Sequence, residues 1–163
     1  MSVATVNSFF DQYVYTFIFS DIRRELDLAR SGHGGGNLLA ALGLLCYTEF
    51  MGGIENQSFA GPAADHFNRF FDGMGDEYAA FRVGVDVYKV FRCGMAHEYL
   101  AKENCVIEML DPTYARTCGV GRVSGGRYYF NVERYFDAFA KHCRDIHAHV
   151  LALPDPKVPE PKT

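Results

Sequence analysis

The chain is 163 residues long, 48% hydrophobic and 15% aromatic, with a formal charge of −4 at neutral pH. That composition suits one folded domain with a proper core and excludes a disordered chain or a uniformly basic nucleic-acid binder. Five cysteines, an odd number with no Cys-x-x-Cys pair, read as free thiols of a reducing compartment.

No basic-then-apolar leader opens the sequence, and no apolar run reaches the roughly 18 residues of a membrane helix, so a cytoplasmic location and no membrane partner are expected. Residues 3–29 contain no Gly or Pro, and Val6, Phe10, Tyr13, Phe17, Ile22 and Leu26 recur at near-helical spacing, which predicts a long first helix. The glycine-rich stretch 31–36 is its flexible stop. It contains His-Gly-Gly-Gly, as esterase oxyanion loops do, but no Gly-x-Ser-x-Gly follows and no Gly-Lys-Ser/Thr ending is present, so it reads as a linker. Asn37 is placed to cap the next helix, 38–47, which is apolar on every side and therefore central. Glu49 follows close behind, and Gly52-Gly53 is read as the end of that helix.

Gly61-Pro62 opens a short helix through Phe67, Phe70 and Phe71, in which His66 reads as a surface or core histidine. Gly73 and Gly75 break the chain again, and Asp76 caps a helix with Tyr78, Phe81, Val85, Tyr88 and Arg92 on one face. Arg82, Asp86 and Lys89 fall on the other face. Residues 105–110 read as a strand, and 118–123 with 127–130 as a hairpin turning at Ser124-Gly125-Gly126. Asn131 caps a last amphipathic helix to about residue 151, with Val132, Tyr135, Phe136, Phe139, Cys143 and Ile146 inward. The tail, 153–163, holds four of the 6 prolines and is expected to be disordered. The expected fold is a mainly α, up-and-down bundle of four or five helices over residues 1–152, with a small β hairpin inserted at about 105–130.

Arg92 ends an apolar stripe, where a guanidinium needs an anion or acceptors around it. His97 follows five positions later and Tyr99 two beyond that, so a group that exchanges protons near neutral pH stands beside an anion clamp. Phosphodiester chemistry requires that combination. The other reading is a structural arginine paired with a buried carboxylate; Glu49 is placed either for that role or as a plain helix-end carboxylate. A second Arg-x4-His match, Arg144 and His149, lies in a mixed polar run near the C-terminus and is set aside. Cys143 and His147 stand four apart on the last helix, but no further ligands at a recognised spacing join them, so no metal and no cofactor are expected.

Charge is unevenly spread. Residues 1–111 carry fifteen acids and eight bases, whereas 112–163 carry five acids and eight bases. Between positions 112 and 132 stand Arg116, Arg122 and Arg127 with no acid, a stretch suited either to a phosphate backbone or to a solvated hairpin.

The run Arg92-Cys93-Gly94-Met95-Ala96-His97-Glu98-Tyr99 resembles the signature of HEPN domains, and in its Arg-x4-His-x-Tyr form it is similar to HEPN toxins paired with a nucleotidyltransferase antitoxin. The upstream layout of a long helix, a very apolar helix and a motif-bearing helix agrees, over roughly residues 1–100. Cys93 departs from the family, where that position is commonly Asn, Asp or His. The resemblance implies a homodimer with two motifs facing each other, an RNA substrate, and a metal-independent endoribonuclease leaving a 2′,3′-cyclic phosphate. Arg92, His97 and Tyr99 would be its catalytic residues, with Arg116, Arg122 and Arg127 binding substrate. A toxin or defence role and a nucleotidyltransferase-type antitoxin partner follow from the same likeness. The alternative is a non-catalytic HEPN-like module that binds RNA, a nucleotide or a protein. On either reading the stripe ending in Arg92 is expected to be covered by a second copy of the chain.

Overall fold

A helix whose inward residues recur every fourth position drifts around its axis by about 40° per step, because four residues overshoot a turn of 3.6. Val6, Phe10, Val14 and Ile18 are so spaced, and all four are buried. The computed structural model, which describes residues 3–98, 105–111 and 116–159, meets that drift with a wider turn. Helix α1 (Val3–Phe9) passes into a π-helical stretch, Phe10–Ile18, and then into α2 (Phe19–Arg30), together forming one rod. Thr16 closes the wide turn by donating to the Asp11 carbonyl at 2.7 Å.

The glycine linker turns the chain back tightly: Gly36 has φ 85°, and a Cβ there would lie 2.3 Å from the Glu25 carbonyl oxygen. Helix α3 (Asn37–Glu55) starts at Asn37 itself, with Gly36 in the cap position and no side-chain cap. It also runs on through Gly52-Gly53, which are not its end. A Cβ on Gly52 would sit 1.8 Å from the His66 carbonyl oxygen, and one on Gly53 2.2 Å from the Phe59 ring. Those glycines are there for close approach: α4 (Ala63–Gly73) crosses α3 at backbone distance. With 19 residues and a mean hydropathy of 1.3, α3 is long and apolar enough to cross a bilayer, and half of that window is buried by the rest of the chain.

The expected single helix from Asp76 to Arg92 is two. Helix α5 (Asp76–Val83) stops at Gly84, and a π-helical stretch, Tyr88–Cys93, leads into α6 (Gly94–Glu98). Asp86, expected on a solvent face, caps the second piece by accepting from the Lys89 N–H at 3.1 Å. Tyr78 and Val85 are buried by their own chain, 4% and 7% exposed, while Phe81, Tyr88 and Arg92 of the same stripe are only partly buried.

The hairpin forms as β2 (Val120–Arg122) antiparallel to β3 (Tyr128–Asn131), and β1 (Val106–Glu108) adds in parallel on the other side of β3, with Ile107 opposite Phe130. Helix α7 (Val132–Leu151) follows at once; Asn131 caps it by accepting from the Arg134 N–H at 3.0 Å and also donates to the Met109 carbonyl. The mainly α architecture with a small sheet is as the sequence implies. Val158, in the tail expected to be disordered, is 8% exposed and joins the core.

Tyr135 is completely buried at the centre, with its hydroxyl 2.9 Å from that of Thr48. Thr48 spends its one proton on the Leu44 carbonyl at 2.8 Å, so Tyr135 is the donor between the two. Removing the acceptor strands a buried donor, whereas removing the donor leaves only a spare lone pair. Thr48→Val is therefore expected to cost about 1–3 kcal/mol and Tyr135→Phe about 0.5–1.5 kcal/mol. Urea unfolding of the two variants checks the order, and equal losses would reassign the bond's direction.

Candidate functional site

Arg92 projects from the end of the Tyr88–Cys93 stretch toward α3, where Glu49 meets it with Oε2 2.8 Å from Nε. The side chains are 20% and 24% exposed, so the pair is mostly withdrawn from water. The two atoms form a charge contact and are not aligned as a hydrogen bond. Neither Nη of Arg92 makes a hydrogen bond among the described residues. Its guanidinium carbon lies 5.8 Å from the centre of the Tyr88 ring, one turn back.

Neighbouring groups feel both charges. Burial first, and then Glu49, push the Tyr88 hydroxyl above its ordinary value. Burial also raises the Cys46 thiol above its ordinary value, with Arg92 opposing. Cys46, Glu49, Phe50, Phe59 and His66 line a cleft of about 280 Å³ beside the pair. At Gly94 the wide turn gives way to α6. The His97 side chain and the whole of Tyr99 lie outside the described residues.

The three arginines of the basic stretch fare differently. Arg116 turns inward, with Nε 2.6 Å from Glu108 Oε1 and its guanidinium 4.2 Å from the Tyr129 ring centre. Arg122 is exposed and donates to the Tyr128 hydroxyl at 2.8 Å. Arg127 is exposed and has no acidic partner among the described residues. Arg82, read as a solvent-face charge, makes a two-pronged contact with Asp72 at 2.6 and 2.5 Å. That pairing is not legible in the sequence, since nothing local joins position 72 to position 82 before the α4–α5 turn is formed.

Cys143 and His147 do not form a metal pair. Cys143 is fully buried and its thiol is held well above its ordinary value by that burial. Both His147 nitrogens are occupied: Nδ1 stands 2.9 Å from the Tyr15 hydroxyl and Nε2 2.9 Å from Asn7 Oδ1. Among the described residues no three His, Cys, Asp or Glu side chains are grouped to hold a metal ion. Comparison of the chain with protein-family models, with curated proteins and with solved structures finds no match.

With Nε2 donating to Asn7 and Nδ1 accepting from Tyr15, His147 is bonded as the neutral tautomer. Burial lowers its pKa from the ordinary 6.5, partly opposed by Asp11. The unfolded chain then binds the proton more readily, so this group's contribution to stability is full above pH 6.5 and is lost as pH falls toward the folded value. NMR titration of the histidine ring protons is expected to find one imidazole below the ordinary range, and Asn7→Ala should move it. A His147 titrating at or above 6.5 would refute the neutral bonding scheme.

Proposed function

We propose that the chain is a metal-independent endoribonuclease of the HEPN type, working as a homodimer. The observation that carries this reading is the state of Arg92: Glu49 holds the Nε side while both Nη groups make no hydrogen bond among the described residues. A guanidinium gripped along one edge is oriented, and the other edge is left to meet a phosphate. Position 97 follows little more than one turn later, at the end of the same helical run.

In the dimer one His97 takes the proton from a ribose 2′-hydroxyl, whose oxygen attacks the adjacent phosphorus. The other protonates the departing 5′-oxygen, and Arg92 from each copy stabilises the charge, leaving a 2′,3′-cyclic phosphate. Tyr99 donates at the rim, and Arg122 and Arg127 bear on the RNA backbone. A cytoplasmic toxin or defence protein, held by a nucleotidyltransferase-type antitoxin, is the biological role that goes with this chemistry.

One observation favours a second reading, a non-catalytic module that binds RNA, nucleotide or protein: Glu49 neutralises Arg92 and Glu108 neutralises Arg116. Cleavage of a labelled RNA separates the two. The wild type is expected to cut in the presence of EDTA, and Arg92→Ala and His97→Ala to lose about 10²–10³-fold in rate. Activity kept by both variants, or abolished by EDTA, overturns the mechanism; RNA bound but uncut by the wild type supports the second reading.

The apolar surface nearest this site is an aromatic one. Tyr13 and Phe17 are 54% and 59% exposed, and with Phe9, Cys46 and Phe50 they line a cleft of about 440 Å³. Cys46 and Phe50 also line the cleft that contains Glu49, so a second copy seated here brings two Arg92 residues near one axis. Replacing Tyr13 and Phe17 together by Ser is expected to convert a dimer to a monomer in light scattering and to abolish cleavage. A dimer that survives the double substitution places the interface elsewhere.

A further inference from the structure

Four arginines of this chain, Arg30, Arg82, Arg92 and Arg116, each meet a carboxylate that draws them away from water or into a network. Arg23 and Arg144 do not. They come from different helices, α2 and α7, and stand over the same ring: their guanidinium carbons lie 5.5 and 5.8 Å from the centre of Phe19. Phe19 is 2% exposed, so the platform that gathers the two cations is fixed in the core. Arg144 has one hydrogen bond, to the Ala140 carbonyl at 3.3 Å, and Arg23 has none among the described residues.

Of the acids nearest them in sequence, Glu25 keeps a buried Oε2 that makes no hydrogen bond and does not line the cleft between the arginines, and the others are engaged elsewhere. Asp21 pairs with Arg24, Asp27 with Arg30, and Asp145 with Lys141. Asp11 is near enough to act on Tyr15 and His147 but does not line the cleft between the arginines. That cleft measures about 480 Å³. Small-molecule sites commonly span ~300–1,000 Å³. Tyr15, Phe19, Arg23, Arg144, His147 and Leu151 contribute to its lining, and no carboxylate does.

Its floor is preset. His147 stacks on Phe10 with ring centres 4.2 Å apart and planes 7° from parallel, and its nitrogens are bonded to Tyr15 and Asn7. Tyr15 and His147 bond to each other, and His147 also to Asn7, so both ring nitrogens of His147 are already engaged. Two cations stand above an aromatic and aliphatic wall. Two like charges held together without an anion repel, and water screening only weakens that repulsion. A dianion between them removes it, and a phosphate offers each planar guanidinium a pair of oxygens at matching spacing. A single carboxylate has charge for only one of them.

We propose that this cleft binds a small organic phosphate, with the phosphomonoester dianion between Arg23 and Arg144 and a planar or apolar body against Tyr15 and Leu151. The inference does not depend on RNA cleavage at Arg92. Calorimetry on the full chain with phenyl phosphate, inorganic phosphate and phenol tests it. Phenyl phosphate is expected to saturate one site per chain and to bind more tightly than inorganic phosphate, with no detectable heat from phenol. The double variant Arg23→Gln, Arg144→Gln should weaken phenyl phosphate about tenfold or more, as losing charge-assisted bonds to a dianion implies. Its melting temperature without ligand should be unchanged or higher, because both side chains are exposed and the substitution relieves repulsion. No saturable binding of phenyl phosphate at millimolar concentration, or equal binding by the double variant, overturns the proposal.

Discussion

Helices α3 and α4 approach each other at backbone distance, and much else is arranged around that contact. At position 52 the α4 backbone lies where any side chain would begin, and at 53 the Phe59 ring does. Glycine at 52 lets the two helices meet without a side chain between them, and glycine at 53 makes room for the ring of Phe59 from the connecting segment. Phe67, Phe70 and Phe71 are then wholly buried, and each such side chain contributes about 1.5–3 kcal/mol. The same approach sets Phe59 and His66 around the cleft that also holds Glu49, on the same face of α3.

The disposition of arginine differs between the two ends of the bundle. Near the sheet, Arg116 is folded onto Glu108 and Tyr129, with a side chain only 17% exposed, and its charge is spent on internal structure. Arg92 is intermediate, with a carboxylate on one edge and no bond on the other. Arg23 and Arg144 carry undiminished charge over a rigid ring. On the proposals made above, steering of a phosphate-bearing ligand would fall to the last pair and positioning to Arg92.

Where the sequence was legible, the physics was local. An uninterrupted run from Val3 announces a helix, Gly125-Gly126 announces a turn, and Asn131 before an amphipathic run announces a cap that the structure contains. Gly52-Gly53 misled because glycine breaks helices by propensity, and only a neighbour absent from the local sequence turns it into a contact residue. The break at Gly84 was hidden by an apolar stripe that continued in register across it, so periodicity saw one helix where Asp86 starts another. At the candidate site, Arg92 and a carboxylate partner in Glu49 were both visible. Arg144 was passed over because its sequence neighbours are polar, yet its surroundings are made by Phe19 and Arg23 of another helix, which no local window contains.

The last helix closes on the first. His147 bonds to Tyr15 and Asn7 across 132 and 140 positions of sequence, and Phe139 and Phe136 pack against Phe19. A ribosome releases the chain from the other end. Until the last helix is made, α3 can pack on one side of the rod and pair with α4, but Phe10 and Phe19 lack the rings of His147, Phe136 and Phe139. The parallel pairing of β1 also waits for β3, which directly precedes α7. Completion of the fold is thus tied to the appearance of residues 132–151, and until then the exposed apolar rod is the part of the nascent chain that a chaperone would find.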